Sequence, residues 1–367
     1  MKIEVYSPAV RRREMDAVLT ALVEDSIGPG EQAKLLVQIA KERLGFDACL
    51  ALRSPALALS IALKALGIEA GKGVLISYLS PRYYEWAIRD AGLVPLYCGT
   101  APGSPLASKE TVEQVLKERP GGIEARCVAL HHSLGYLPES EAIASLGLPL
   151  IEDCSQSYGS VFSGQDDGDS AAGADGKPAP VQKRLFPGPF TSGVFTILGL
   201  EERDMLTSGG GALLYAGTRR DAALLRGYAE MPPEYALPDM NAAMAAAQFR
   251  EGAKNLQKRK TIAETYLRAA LQTRHKRFVT PEGFEYNNYA FPLVLESGLK
   301  DVKAYAKKKD IAVESAFENS IAASREDPPA WCREAYSLSL RTALFPVHPR
   351  LGAKDVEKVS RLITTLP

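Results

Sequence analysis

Short apolar segments with no polar alternation recur through the first 215 residues, and most are followed by a stretch with helical spacing. ACLAL (48–52), GVLIS (73–77), VPLYCG (94–99), RCVALHH (126–132), LPLIED (148–153) and GVFTIL (193–198) form this series. A strand that is apolar on both faces must be covered on both faces. Between these runs lie SPALALSIALKALGI (54–68), YYEWAIRDAGL (83–93), TVEQVLKER (111–119) and ESEAIASLG (139–147), all readable as helices. The pattern predicts an α/β fold, a mostly parallel sheet between helical layers. Ahead of it, 13–25 and 31–44 read as helices. In the second, Ala33, Leu36, Ile39, Ala40 and Leu44 recur on one face and Gly45 stops the helix. Ser54 is placed to cap the helix at 54–68.

Residues 163–189, rich in Gly, Ala, Asp and Pro, interrupt the rhythm and read as a long mobile surface loop. SGGGALLY (208–215) is a glycine turn into another strand. A long helix from Met240 to Leu271 bridges to a second unit. There, NNYAFPLVL (287–295) reads as a strand and DVKAYAKKKD (301–310) as a helix. The segment YSLSLRTALFPVHPRLGAKDVEKVSRLI (336–363) reads as a strand, a loop and a closing helix, with Leu338, Leu340 and Leu344 as a core pattern. The expected division is 1–235 for an N-terminal segment and large domain, and 236–367 for the bridging helix and a small α+β domain.

Lys and Arg total 44, matched by 44 Asp and Glu, so the formal charge is zero. Bulk electrostatics therefore give no reason to expect a nucleic-acid or anionic-membrane partner. No run reaches the ~18 apolar residues of a membrane helix. MKIEVYSPAVRRRE lacks an apolar signal core, and a cytoplasmic location is expected. Cys49, Cys98, Cys127, Cys154 and Cys332 are scattered without C-x-x-C spacing, which suits buried reduced thiols better than a disulfide framework or a zinc site. The adjacent His131 and His132 do not close a metal site by themselves.

In an open parallel sheet, ligands bind beyond the carboxyl ends of the strands. Three segments fall there: Arg53-Ser54-Pro55, Asp153-Cys154-Ser155-Gln156 and Gly209–Gly211. On position alone, Asp153 reads first as an ordinary helix cap or loop acid, and the glycines as a plain β-turn.

IEDCSQSYGS (151–160) resembles the IEDxAQxxG segment of the DegT/DnrJ/EryC1/StrS family, nucleotide-sugar aminotransferases of pyridoxal phosphate (PLP) fold type I. Other landmarks follow in order. GPGEQ (28–32), ALKALGIEAGKGVLIS (62–77), AGLVPLYCG (91–99) and ALHHSLGYLPESEAI (129–143) resemble family segments. So do GVFTIL…SGGGALLY (193–215), LPDMNAAMAAAQF (237–249) and SLSLRTALFPVHPRLGAKDVEKV (337–359). The resemblance implies a seven-stranded, mostly parallel large domain, a small α+β C-terminal domain and a homodimer. It also implies that Asp153 pairs with the PLP ring nitrogen, that Gln156 lies against the ring and that Ser54 begins the phosphate cup.

The same comparison exposes departures. The family's Schiff-base lysine lies in SFxxxK, and Thr196-Ile197-Leu198-Gly199-Leu200-Glu201 occupies that pattern, with Glu201 in the lysine's place. A carboxylate forms no imine. Lys183, in the 163–189 loop, is the alternative amine. The cup SGTxAL becomes Ser54-Pro55-Ala56-Leu57-Ala58-Leu59, losing a donor at Pro55 and a hydroxyl at Ala56. The asparagine that reaches the partner's cofactor phosphate becomes Glu234. Pro81 falls about where the ring-stacking aromatic belongs, leaving Tyr78, Tyr83 or Tyr84 to line a pocket.

These departures lead to the expectation of a family scaffold without normal transaminase activity, a pseudoenzyme with no cofactor. Such a protein would still take a sugar nucleotide or small metabolite at the sheet edge. The alternatives are an active PLP-dependent sugar aminotransferase using Lys183, or a lysine-free enzyme holding PLP or its amine form, PMP, with Glu201 moving protons.

Overall fold

The computed structural model describes residues 2–162 and 193–367. Helices α1 (Arg12–Val23) and α2 (Glu31–Leu44) come first. Strand and helix then alternate as β1 (Ala48–Leu52), α3 (Pro55–Ala65), β2 (Gly73–Ser77), α4 (Tyr83–Asp90), β3 (Val94–Cys98), α5 (Lys109–Glu118), β4 (Ala125–His131), α6 (Ser140–Ala144) and β5 (Leu150–Asp153). After β6 (Val161–Phe162) the described chain resumes with β7 (Phe195–Gly199), β8 (Ala212–Ala216), α7 (Arg219–Arg226) and the 32-residue α8 (Asp239–Ala270). The rest comprises β9 (Phe284–Glu285), β10 (Phe291–Val294), α9 (Leu299–Lys307), β11 (Glu314–Ser315), α10 (Arg333–Arg341), β12 (Thr342–Phe345) and α11 (Ala353–Thr364).

Seven strands form one sheet in the order β1-β8-β7-β5-β4-β2-β3, parallel except for β8. β2, β7 and β8 are buried along their whole length, as continuous apolar runs require. In register, His131 lies opposite Asp153, and Asp153 opposite Ile197. The carboxyl ends of β4, β5 and β7 therefore meet at one edge. β1 delivers Ser54 to the same edge. There Ser54 Oγ accepts the Leu57 N–H at 3.2 Å, and Pro55 takes the first helical position of α3. Asp239, at the start of α8, caps α2 from another helix by accepting the N–H groups of Gly30, Gln32 and Ala33.

A second sheet, β10-β12-β11, is antiparallel and packs on α8, α9 and α11 through Ile262, Tyr266, Leu293, Val302, Phe345, Val359 and Leu362. The chain start is stitched to this unit. The Ile3 N–H donates to Asp310 O at 2.9 Å, and the Ala312 N–H donates to Ile3 O at 2.7 Å.

Two readings of the sequence are corrected. The segment from 336 begins as helix α10, and its strand starts only at Thr342. The SLSL alternation imitates a strand, but Ala335, Leu338 and Ser339 share the buried helical face and Leu340 is 57% exposed. Helix α7, capped by Thr218, was not anticipated. The expected loop at 163–189, with Lys183, lies outside the described residues. The five cysteines are free thiols. Among the described residues, no helix is long and apolar enough to cross a membrane, and no cluster of His, Cys, Asp or Glu could hold a metal.

Candidate active site

Asp153 ends β5 and is 1% exposed. Its Oδ2 accepts the Tyr83 hydroxyl at 2.7 Å and the Tyr84 hydroxyl at 3.1 Å. Its Oδ1 accepts the Ser155 N–H at 3.0 Å and the Ser155 hydroxyl. Four donors fill the acceptor capacity of a carboxylate. Both phenols are held well above their ordinary range, first by burial and then by the negative charge of Asp153, so they keep their protons and donate. Ser155 Oγ in turn accepts the Gly199 N–H at 2.7 Å. A side chain at 199 would lie 2.6 Å from Ser155 Oγ and closer still to Asp204 Oδ2, so glycine is required by close approach.

A cavity of about 200 Å³ opens beside this cluster. Tyr83 and His131 form part of its wall. Burial lowers His131 to about 4, leaving a neutral imidazole, with Nδ1 3.0 Å from Ser133 Oγ. Gln156 also lines the cavity, and its Oε1 accepts the Leu134 N–H at 2.6 Å. Glu201 lines it too, its carboxyl raised by burial against the opposing Gly211 N–H. Asp204 accepts the Glu201 N–H at 2.8 Å and is raised well above the carboxylate range, chiefly by burial. Among the described lining residues, Arg203 is the only cation. Its guanidinium reaches Glu314 at 3.0 Å and Glu318 at 2.9 Å, and stands 4.8 Å from the Tyr6 ring centroid.

The structure thus brings Asp153, Gln156 and Glu201 to one edge. Ser54 spends its hydroxyl on the α3 cap, and Ala56 is half-buried in the first turn. Glu234 is exposed on a turn tied to β1, where the Arg53 N–H donates to Tyr235 O and the Leu237 N–H to Ala51 O, both at 3.0 Å; it does not line the cavity. Tyr78 is buried edge-on to Tyr97, away from the cavity, whereas Pro81 lines it. Tyr6, Arg203, Asp204 and Tyr289 are lining residues that the sequence reading missed. Tyr289 had a local signal in NNY. Asn288 adopts φ +55°, a region Asn tolerates, and Asn287 Oδ1 accepts the Tyr289 N–H at 2.9 Å. Tyr6 had none, because the Ile3–Ile311 pairing brings it there.

The described residues do not fit a PLP tethered in the way the resemblance implies. No described lysine lines the cavity. The acceptor sites of Asp153 are filled. At the cup, Pro55 has no N–H, and that of Leu57 is taken by Ser54.

The model of the DegT/DnrJ/EryC1/StrS aminotransferase family matches residues 8–175 and 213–364. EpsN of Bacillus subtilis (strain 168), which carries the name of a pyridoxal phosphate-dependent aminotransferase, is 23% identical over 372 residues, covering 91% of this chain and 89% of that one. The L-glutamine:2-deoxy-scyllo-inosose aminotransferase of Streptomyces paromomycinus is 29% identical over 157 residues, 41% of this chain and 37% of that one. Spr1654 of Streptococcus pneumoniae, named as a sugar aminotransferase and solved in its PLP-form, has a TM-score of 0.82 at 15% identity, covering 100% of this chain and 98% of that one. The aminotransferase TlmJ of Streptoalloteichus hindustanus has a TM-score of 0.79 at 20% identity over 99% and 98%. The fold is that of PLP-transferase fold type I. These findings overturn the expectation of no cofactor, since the cofactor in EpsN's name and in the PLP- and PMP-forms of Spr1654 is of the pyridoxal type. They also favour the PLP-dependent sugar aminotransferase alternative over the expected loss of activity. Matched on both sides of a single gap, over both sheets, the chain belongs to the DegT/DnrJ/EryC1/StrS aminotransferase family.

Proposed function

We propose that the chain is a pyridoxal phosphate-dependent enzyme of the sugar aminotransferase class, acting at the cavity beside Asp153. The observation that carries this reading is the family match across both sheets, which has the buried carboxylate of Asp153 at the end of β5 and a cavity next to it. Pyridoxal phosphate, when bound, supplies an electron sink for amino-group transfer. The chain's own contribution is a neutral imidazole at His131, a fixed amide at Gln156 and the Arg203 cation at the Tyr6 wall.

A second reading, turnover without normal transamination, is favoured by one observation: Glu201, which we align with the family's lysine, is a carboxyl and forms no imine. Burial raises the Glu201 carboxyl from its ordinary value, which favours its use as a proton donor at that position.

The test is a titration of the purified protein with PLP, followed by absorbance, borohydride reduction and peptide mass mapping. A new absorbance band with a reduced adduct on Lys183 supports the aminotransferase. A band with no trapped adduct supports the second reading. No spectral change in excess PLP refutes both. We further propose that the protein is a homodimer of two-domain chains, 1–235 and 236–367. The exposed stripe Met15, Leu19 and Leu22 on α1, continued by Ile27, suits a second copy.

A further inference from the structure

We infer that Tyr83 decides what Asp153 can bind: its phenol fills, from the cavity side, the acceptor position that the ring N–H of a pyridoxal-type ligand needs, so such a ligand reaches Asp153 only by displacing Tyr83. This rests on the reading of the cavity as a pyridoxal phosphate site. The hydrogen bonds and the burial of the two tyrosines carry the argument. Oδ1 of Asp153 is engaged by Ser155 from its own loop, and Oδ2 by Tyr83 and Tyr84. Asp153 itself is not part of the cavity wall, whereas Tyr83 is.

The two phenols are not equivalent. Tyr84 is 1% exposed and packs edge-on to His131, with ring centroids 6.0 Å apart, so it has no room to swing. Tyr83 is half-buried, lies on the first turn of α4 and faces open space. Its ring is 5.0 Å from that of Tyr84, so the pair closes over Oδ2 as a unit from which only Tyr83 can leave. A departing Tyr83 gives up its bond to a charged acceptor, and that loss is subtracted from the affinity of any incoming ring. Tyr83 is thus a positioning residue that acts through Asp153.

The probe is pyridoxamine phosphate, which carries an amine and so binds without a lysine tether, titrated by fluorescence and absorbance alongside PLP. Tyr83→Phe should tighten binding of pyridoxamine phosphate by up to about fivefold. Tyr84→Phe should change it less, and Asp153→Asn should abolish the gain when combined with Tyr83→Phe. If the wild type binds and Tyr83→Phe binds no tighter, the inference is overturned while the cavity reading stands. If neither the wild type nor any variant binds either probe, both fall. Thermal unfolding of each variant identifies any that lose affinity by losing the fold.

Discussion

Tyr84→Phe isolates one hydrogen bond at the buried centre of the site. The phenylalanine ring keeps the packing of Tyr84 and deletes only the hydroxyl that donates to Asp153 at 3.1 Å. Hydrogen bonds to charged groups contribute about 1.5–3 kcal/mol, and an acceptor left short in the interior bears that loss in full. Tyr84 is 1% exposed, so water has no path to replace the hydroxyl. We therefore expect Tyr84→Phe to destabilise the protein by about 1.5–3 kcal/mol. Tyr83→Phe removes a shorter bond, 2.7 Å, yet should cost under about 1 kcal/mol, because the cavity beside it admits water. Urea unfolding followed by circular dichroism reads both as shifts in midpoint at constant slope. A double-mutant cycle with Asp153→Asn should return a coupling of at least about 1 kcal/mol for Tyr84. A Tyr84→Phe variant within 0.5 kcal/mol of wild type, or a costlier Tyr83→Phe, would refute the assignment of Asp153 as a carboxylate held mainly from the protein side.

Gly211 has φ +124°, and a methyl there would press on Leu237 Cδ1, so Gly211→Ala should cost about 1–3 kcal/mol and lower the melting temperature. The folded-state values of His131 and His348 lie near 4, lowered by burial from 6.5. The unfolded chain therefore takes up more protons between pH 6.5 and 4, and stability should fall as pH drops through that window and not depend on these rings above it. Each ring contributes up to about 1.4 kcal/mol per pH unit, and replacing both by glutamine should flatten the slope measured by urea unfolding; an unchanged slope would count against it. If the proposed dimer forms through the α1 stripe, Met15→Glu with Leu19→Glu should halve the mass seen by light scattering; a wild-type mass of one chain refutes the dimer, and an unchanged two-chain mass refutes the stripe as its contact.

Much of the sheet was legible because its physics is local. β1 and β2 fall at 48–52 and 73–77, the segments chosen from apolar runs, since a strand buried on both faces has no other composition available. Ser54 was found as a cap for the same reason: a serine before a proline and an apolar run satisfies one amide and one steric preference at once. The SLSL segment misled because two-residue alternation and a half-buried helix face can share four residues. At the site, Asp153, Gln156 and Glu201 follow strand ends and could be placed from topology. Arg203 and Asp204 lie in the loop just beyond, where nothing in EERD separates a lining residue from a solvated one. The bonds from Tyr83 and Tyr84 to Asp153 join residues about seventy positions apart, and no spacing rule carries that information.

The pairing of Ile3 with Ile311 sets a schedule for synthesis on the ribosome. Residue 3 is made about three hundred residues before its partner, some 15 to 60 seconds at about 5–20 residues per second. Until then the bridge that ties the Tyr6 segment to the small sheet cannot form, although Arg203 and the parallel sheet are already made. The cavity wall formed by Tyr6, Tyr289 and residues 315–320 is thus the last part of that edge to be completed.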